Sequence, residues 1–292
     1  MVYDKSGTAL QSIYSTEGGT LATVYSTDGA KVFPTVEAHL KSMTYNVQWF
    51  SKLNSQQAMQ EIIIGGNNAD IIGFQEISKT GQIPDVGLSV LADYPSKRLS
   101  NHINYIAMVS KRRFTNVVVA DFTNQDPEEW TKWSETRAYM VSDMMIAGDT
   151  VKWINTHLAA LNASYKFLQM GEVFALSQAY RAQGYPVIIT GDFNSWADDA
   201  ADDEYIYMYK QFVDAGYVLA NNTPTLGFTK TWTDSKTATS LAQMTYATDN
   251  IIVSPEFSID TIKFDTTKFS WLDGNPIDHI PIIVSLAYGG GS

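Results

Sequence analysis

A carboxylate and a neutral amide, Asp192 and Asn194, stand two positions apart in Gly191-Asp192-Phe193-Asn194, directly after the apolar run 187–189. An acid that can serve as base or metal ligand, beside an amide at a strand's mouth, suits a charged, oxygen-rich substrate, with phosphate the first candidate. A turn of Asp and Asn after a strand is common in itself. Its weight comes from other apolar runs that end in the same way. Asn46 follows 40–45, Glu76 follows 71–74, and His157 follows 151–155. Asp249 lies at the start of 248–254, and Asp278 and His279 stand just before the final run at 280–288. A carboxylate straight after Ile71-Ile72-Gly73-Phe74-Gln75 is costly to leave unpaired, so Glu76 calls for a partner or a cation. Side chains at the carboxyl ends of α/β strands face a shared crevice, where these groups together would form one hydrolytic site.

Composition narrows the chemistry. The chain has no Cys and four His (His39, His102, His157 and His279), which removes thiolate sites and disfavours a three-His zinc centre. A bound metal is therefore expected to be a hard, oxygen-seeking ion: Mg²⁺, Mn²⁺ or Ca²⁺. The net charge of −11 argues against broad, nonspecific binding of nucleic acid, although not against a nuclease whose groove is locally basic or neutralised by metal. Hydrophobic residues make up 45% of the 292, enough for a sizeable core, and no apolar run approaches the ~20 residues of a membrane span. The N-terminus shows no basic-then-apolar signal pattern.

The elements that must position these groups alternate along the chain. Strands are expected at 40–48, 71–74, 103–110, 116–122, 137–146, 151–156, 187–189, 248–254, 258–264 and 280–288. A helix from about Ser55 should place Ala58, Met59, Ile62 and Ile63 on one face and stop at Gly65-Gly66. A long amphipathic helix should run over 163–183, with Phe167, Met170 and Phe174 inward. Gly148-Asp149 reads as a hairpin turn. Asp198, Asp199, Asp202, Asp203 and Glu204 gather where a helix running to Gly216 begins. Offsetting the helix dipole is the main reading of that acidic run, and a structural Ca²⁺ site the alternative. Before Pro34 the chain repeats: Tyr3, Tyr14 and Tyr25 each follow Val or Ile and precede a Gly and then an aliphatic residue. Three strand–turn–strand units of this size bury little alone, so residues 1–34 read as an attachment or self-association module or as an idle extension. Residues 35–288 form the main domain, and 289–292, Gly-Gly-Gly-Ser, a flexible tail.

Taken in order, seven stretches resemble the endonuclease/exonuclease/phosphatase superfamily, the group that includes deoxyribonuclease I. They are Thr44-Tyr45-Asn46-Val47, 71–76, Arg137, Asn155-Thr156-His157-Leu158, Gly191-Asp192-Phe193-Asn194, 248–254 and Asp278-His279-Ile280-Pro281, and the likeness covers roughly 36–288. The resemblance implies an α/β fold in which two packed mixed sheets lie between helices, a four-layer sandwich. It implies that Glu76, with Asn46 and Asp278, holds Mg²⁺ or Mn²⁺ against a phosphate oxygen. It further implies that His279, oriented by Asp249, exchanges protons, that Asp192 and Asn194 position the nucleophile, and that His157 and Arg137 steady the phosphoryl oxygens. Either His279 or Asp192 could take the proton of the attacking water.

The expected function is divalent-metal-dependent phosphodiester hydrolysis, with a deoxyribonuclease I-like endonuclease acting on nucleic acid in first place. Lys97-Arg98 and Lys111-Arg112-Arg113 support a polyanionic substrate, and the acidic run opposes it. The alternatives are a phosphoesterase for phospholipid headgroups or inositol phosphates, and a non-catalytic surface or virion module. The repeat gives slight favour to an extracellular, cell-surface or virion-associated setting. The presence of Asn46, Glu76, Asp192, Asn194, Asp249 and His279 together opposes a module without catalysis.

Overall fold

The computed structural model describes residues 2–3, 9–10, 38–47, 54–77, 89–100, 106–198, 201–222, 227–234, 238–270 and 278–289. Two six-stranded mixed sheets make the frame. Across the first lie β13 (Phe257–Phe264), β14 (Ile282–Tyr288), β3 (Ala38–Asn46), β4 (Ile71–Gln75), β6 (Ala107–Ser110) and β5 (Ser96–Leu99). Across the second lie β11 (Val218–Leu219), β12 (Asp249–Val253), β10 (Val187–Asp192), β9 (Asp149–His157), β8 (Ala138–Ile146) and β7 (Phe114–Asp121). Only β3–β4 and β9–β10 run parallel; the other pairs are antiparallel. The expected four-layer sandwich is the observed one.

Side-chain alternation explains why the strands read as unbroken apolar runs. In β4 and β10, Ile71 and Ile188 enter the core between the sheets, and Ile72 and Ile189 face outward. The outward residues meet Met59, Ile63 and Ile64 of α1 (Asn54–Asn67) on one side, and Met170 and Val173 of α3 (Ala163–Arg181) on the other. Along each inner face the sequence then changes character. Ile71, Gly73 and Gln75; Trp153, Asn155 and His157; Ile188, Thr190 and Asp192 each pass from apolar to polar toward one end of the sandwich. That polar end is the candidate site.

Several expectations need correction. Helix α1 continues through Gly65 and Gly66 to Asn67, whose amide donates to the Ile63 carbonyl and to Asp265. Its buried face carries Met59, Gln60, Ile63 and Ile64, leaving Ala58 and Ile62 exposed. The β8–β9 turn falls on Ala147-Gly148, both at positive φ (52° and 91°), and Asp149 already pairs with Ile146. After the acidic run comes a π-helical turn at Tyr205–Tyr209 leading into the short α4 (Lys210–Asp214), in place of one continuous helix. Helix α2 (Pro127–Trp133) was not foreseen, although Asp126 caps Glu128 N–H and Pro127 follows it, a readable start signal.

In the N-terminal repeat, β1 (Val2–Tyr3) pairs antiparallel with β2 (Ala9–Leu10), Val2 opposite Leu10. The rest of the repeat, the strand start at 103–105 and residues 290–292 lie outside the described residues. No helix among the described residues is long and apolar enough to cross a membrane.

Candidate active site

Strand ends bring the polar groups together. Asn46 closes β3, His157 closes β9 and Asp192 closes β10, and Asp249 opens the antiparallel β12 directly opposite Asp192. The Asp192 carboxylate is the hub. Its Oδ2 accepts from Asn46 Nδ2 at 2.9 Å and lies 3.5 Å from His157 Nε2 and 3.6 Å from His279 Nε2. Its Oδ1 accepts the Asn194 backbone N–H at 2.8 Å.

Glu76 arrives differently. Gln75 faces the inter-sheet space, so a regular strand would send the next side chain outward. Instead Glu76 takes φ +55°, and its Oε1 accepts from Asn46 Nδ2 at 3.2 Å. Asn194 also sits in the left-handed region, at φ +49°, with Nδ2 donating to the Leu158 carbonyl at 2.8 Å. Glutamate rarely adopts that backbone, and such positions cost about 1–3 kcal/mol each and cluster at working sites.

Opposite Asp192, His279 donates Nδ1–H to Asp249 Oδ2 at 2.9 Å, and Asp249 Oδ2 also accepts from Thr248 Oγ1 at 2.9 Å. Trp232 bridges His279 through the backbone and gives Nε1–H to Asp278 Oδ2 at 3.2 Å. Buried His157 meets the Arg137 guanidinium, with Nη1 2.9 Å from Nδ1. Arg137 was expected to touch phosphate directly. The structure buries it, 3% exposed, with Nε donating to Glu129 Oε2 at 2.7 Å. Its charge is balanced there, and its place is beside His157.

Charge follows from burial and neighbours. Burial and Asp278 push Glu76 up to about 7. Burial and Asp249 likewise raise Asp192 above the ordinary carboxylate range. Burial alone would lower His279, but Asp249, Asp192 and Asp278 outweigh it and raise it to about 10, so it carries a proton at neutral pH. Burial, Arg137 and His279 hold His157 well below its ordinary value, hence neutral.

Thus Asn46, Glu76, His157, Asp192, Asn194, Asp249, Asp278 and His279 converge, with Arg137 behind His157. Sequence reasoning missed Glu129, which anchors Arg137, and Lys166, whose Nζ donates to the Asn194 carbonyl at 2.6 Å and pairs with Glu204 at 2.8 Å. It also missed the buried Lys268, lowered to about 8 by burial against the pull of Asp278 and Asp249. A lysine in an amphipathic helix reads as solvated, so only the fold reveals Lys166. Glu204 also accepts from Trp196 N–H, so this member of the acidic run serves the turn after Asn194. The run forms no group of three converging ligands among the described residues. The basic stretch Lys111-Arg112-Arg113 lies at the far end of the first sheet from Glu76, since Ser110 pairs with Ile71.

A hard cation fits the Glu76–Asp278 side. Both donors are carboxylates, Asp278 Oδ1 is buried without a hydrogen bond, and Asp278 raises Glu76 as an uncompensated like charge would. Asn46, bonded to Glu76 Oε1, is the third residue on that side. Asp192, Asp249 and His279 also bring one donor atom each within 4.8 Å of the others, but His279 Nδ1 is tied to Asp249, which suits a proton relay better.

The sandwich gathers carboxylates, histidines and amides at one end. The model of the Endonuclease/Exonuclease/phosphatase family matches residues 43–280, and the chain belongs to that family. Its members are phosphoester hydrolases, generally dependent on a divalent metal. The human Nocturnin catalytic domain with bound sulfate is similar in structure: TM-score 0.64, 14% identity, 86% of this chain and 94% of that one covered. So is truncated Caenorhabditis elegans TDP2, with TM-score 0.61, 20% identity and coverages of 85% and 97%. A Neisseria 3′ phosphatase, NExo, bound to a product DNA hairpin, gives TM-score 0.61, 18% identity and coverages of 84% and 98%. No curated protein sequence matches.

Proposed function

We propose that this chain is a divalent-metal-dependent phosphodiester hydrolase and that nucleic acid is its substrate. One observation carries the reading: Asp192 Oδ2 stands within 3.6 Å of an amide donor and two imidazole nitrogens. A buried carboxylate with a raised proton affinity accepts a proton from water, and Asn194 N–H and Asn46 fix its orientation. Protonated His279, held by Asp249, supplies positive charge and a proton on the other side. Neutral His157, backed by Arg137, donates a hydrogen bond to a phosphoryl oxygen. As water's oxygen joins phosphorus the ester P–O bond breaks; the water proton passes to Asp192 and His279 protonates the departing oxygen. Glu76, Asp278 and Asn46 would hold Mg²⁺ or Mn²⁺, which when bound neutralises phosphate charge.

Nucleic acid draws support from the NExo neighbour, a 3′ phosphatase with a DNA product. A phospholipid headgroup is the second reading, favoured by exposed Trp196, Ile206 and Tyr207, linked to the catalytic turn through Glu204. The test is plasmid nicking with Mg²⁺, Mn²⁺, Ca²⁺ or chelator, run beside sphingomyelin and inositol-phosphate hydrolysis. Metal-dependent nicking is expected. Turnover of the lipid alone would replace the substrate, and turnover of none would sink the reading.

A further inference from the structure

The two sides of the cleft belong to different sheets. Asn46 and Glu76 extend from β3 and β4 of the first, whereas His157, Asp192 and Asp249 belong to β9, β10 and β12 of the second. Apolar packing between sheets tolerates sliding by fractions of an ångström, but reaction geometry does not: a 1 Å misplacement can cost about 10²-fold in rate. At the site itself the Asn46 amide reaches Asp192 across the gap, and just beneath it a second fully buried side chain ties the two halves directly.

Asn155 of β9 reaches across the gap. Its Nδ2 donates to the carbonyls of Phe74 and Ala107, both at 3.0 Å, where β4 pairs with β6. Its Oδ1 accepts from Gln75 Nε2 at 2.8 Å and from Thr190 Oγ1 of its own sheet at 3.0 Å. Thr190 in turn accepts from Trp153 Nε1 at 3.0 Å. The strands touch here because Gly73 has no side chain: a Cβ would lie 2.3 Å from Asn155 Oδ1 and 2.2 Å from Thr190 Oγ1. Three members of this network are one or two positions from a site residue: Gln75 precedes Glu76, Asn155 lies two before His157, and Thr190 lies two before Asp192. Both the donor and the acceptor capacity of the amide are used, so its place is defined in distance and in direction.

We propose that Asn155 is a positioning residue: its buried amide bridges β4, β6, β9 and β10 and sets the separation between Glu76 and the His157–Asp192 pair. This rests on the phosphodiester hydrolase reading. The bridge touches no substrate and acts only by holding the carboxylate of one sheet at working distance from the proton-transfer groups of the other.

The test uses the full chain with Asn155→Ala and Gln75→Leu; the second removes only the Gln75 amide and leaves Asn155 its other three bonds. Native circular dichroism and a cooperative thermal transition establish folding. Folded Asn155→Ala is expected to lose about 10²-fold in kcat with KM changed by less than about threefold, and Gln75→Leu to show the same split at smaller scale. In a Glu76→Gln background the Asn155→Ala loss should largely vanish, because the group being positioned is already gone, whereas a general structural defect would multiply through. A readout independent of turnover is the Mn²⁺ broadening of the His157 and His279 imidazole proton signals. The His157 signal should sharpen relative to His279 in the Asn155→Ala variant. If Asn155→Ala does not fold, Gln75→Leu decides. An unchanged kcat and an unchanged broadening ratio in a folded variant overturn the proposal. A wild-type chain that hydrolyses no phosphodiester, yet whose ratio shifts on substitution, would refute the hydrolase reading and leave the bridge standing.

Discussion

At the scale of single residues, the site is assembled at the expense of stability, and Glu76 shows how. Its folded-state pKa of about 7 lies above the ordinary 4.5, so between these values the folded chain holds a proton that the unfolded chain has lost. Stability from this group is therefore full below about 4.5 and declines as pH rises through 7. In metal-free protein, Glu76→Gln should raise stability at pH 8 by on the order of 1–3 kcal/mol. The gain should fade toward pH 4.5, and Mg²⁺ should stabilise the wild type more than the variant. Thermal melts across pH, with and without Mg²⁺, check this; a variant that is less stable at pH 8 would contradict it. His279→Ala should lower phosphodiester turnover by at least ~10²-fold, the usual range for a lost acid–base group. A near-normal rate on a chromogenic phosphodiester would remove His279 from the chemistry. The polar groups were readable because each follows or opens an apolar run. Glu129 was missed because a buried ion pair leaves no periodic trace in a sequence.

At the scale of elements, strand alternation explains both what was readable and what was not. Apolar runs announce doubly covered strands, so most strand centres were found, while ends moved by a few residues, as at β4 and β9. The change from apolar to polar along the inner faces was visible only as isolated letters: Gly73, Asn155 and Thr190 acquire meaning when β4, β9 and β10 are laid together. The left-handed turns at Glu76 and Asn194 were equally hidden, since nothing local forces φ positive at a glutamate. Gly73 gives the direct test of how closely the sheets approach. A methyl group there meets Thr190 and Asn155 at distances no real contact adopts, so the strands must part. Gly73→Ala should cost at least about 2 kcal/mol, within the range for overpacked cores, and should reduce kcat as well. Denaturant midpoints measure the first effect and steady-state kinetics the second; an unchanged midpoint would mean that the gap is softer than the contacts indicate.

At the scale of the whole molecule, a two-sheet sandwich follows an N-terminal sequence repeat. The sandwich closes its own core from β3 to β14, whereas the eleven-residue repeat before Pro34 offers each unit only a few apolar side chains. The β1–β2 pair is a two-stranded ribbon, and such ribbons are at best marginally stable in water without a third strand or a covering surface. Repeated units of this kind gain stability when copies stack, and we propose that the segment joins chains. Deleting residues 1–34 should therefore leave turnover per chain and the thermal transition of the sandwich nearly unchanged while lowering the mass in solution. Sedimentation equilibrium of both forms measures that mass, and kinetics at equal chain concentration measures the activity. A drop equal to the mass of the deleted segment alone would rule out self-association through the repeat. A loss of turnover on deletion would instead place residues 1–34 against the catalytic end, which would tie the repeat to the chemistry rather than to assembly.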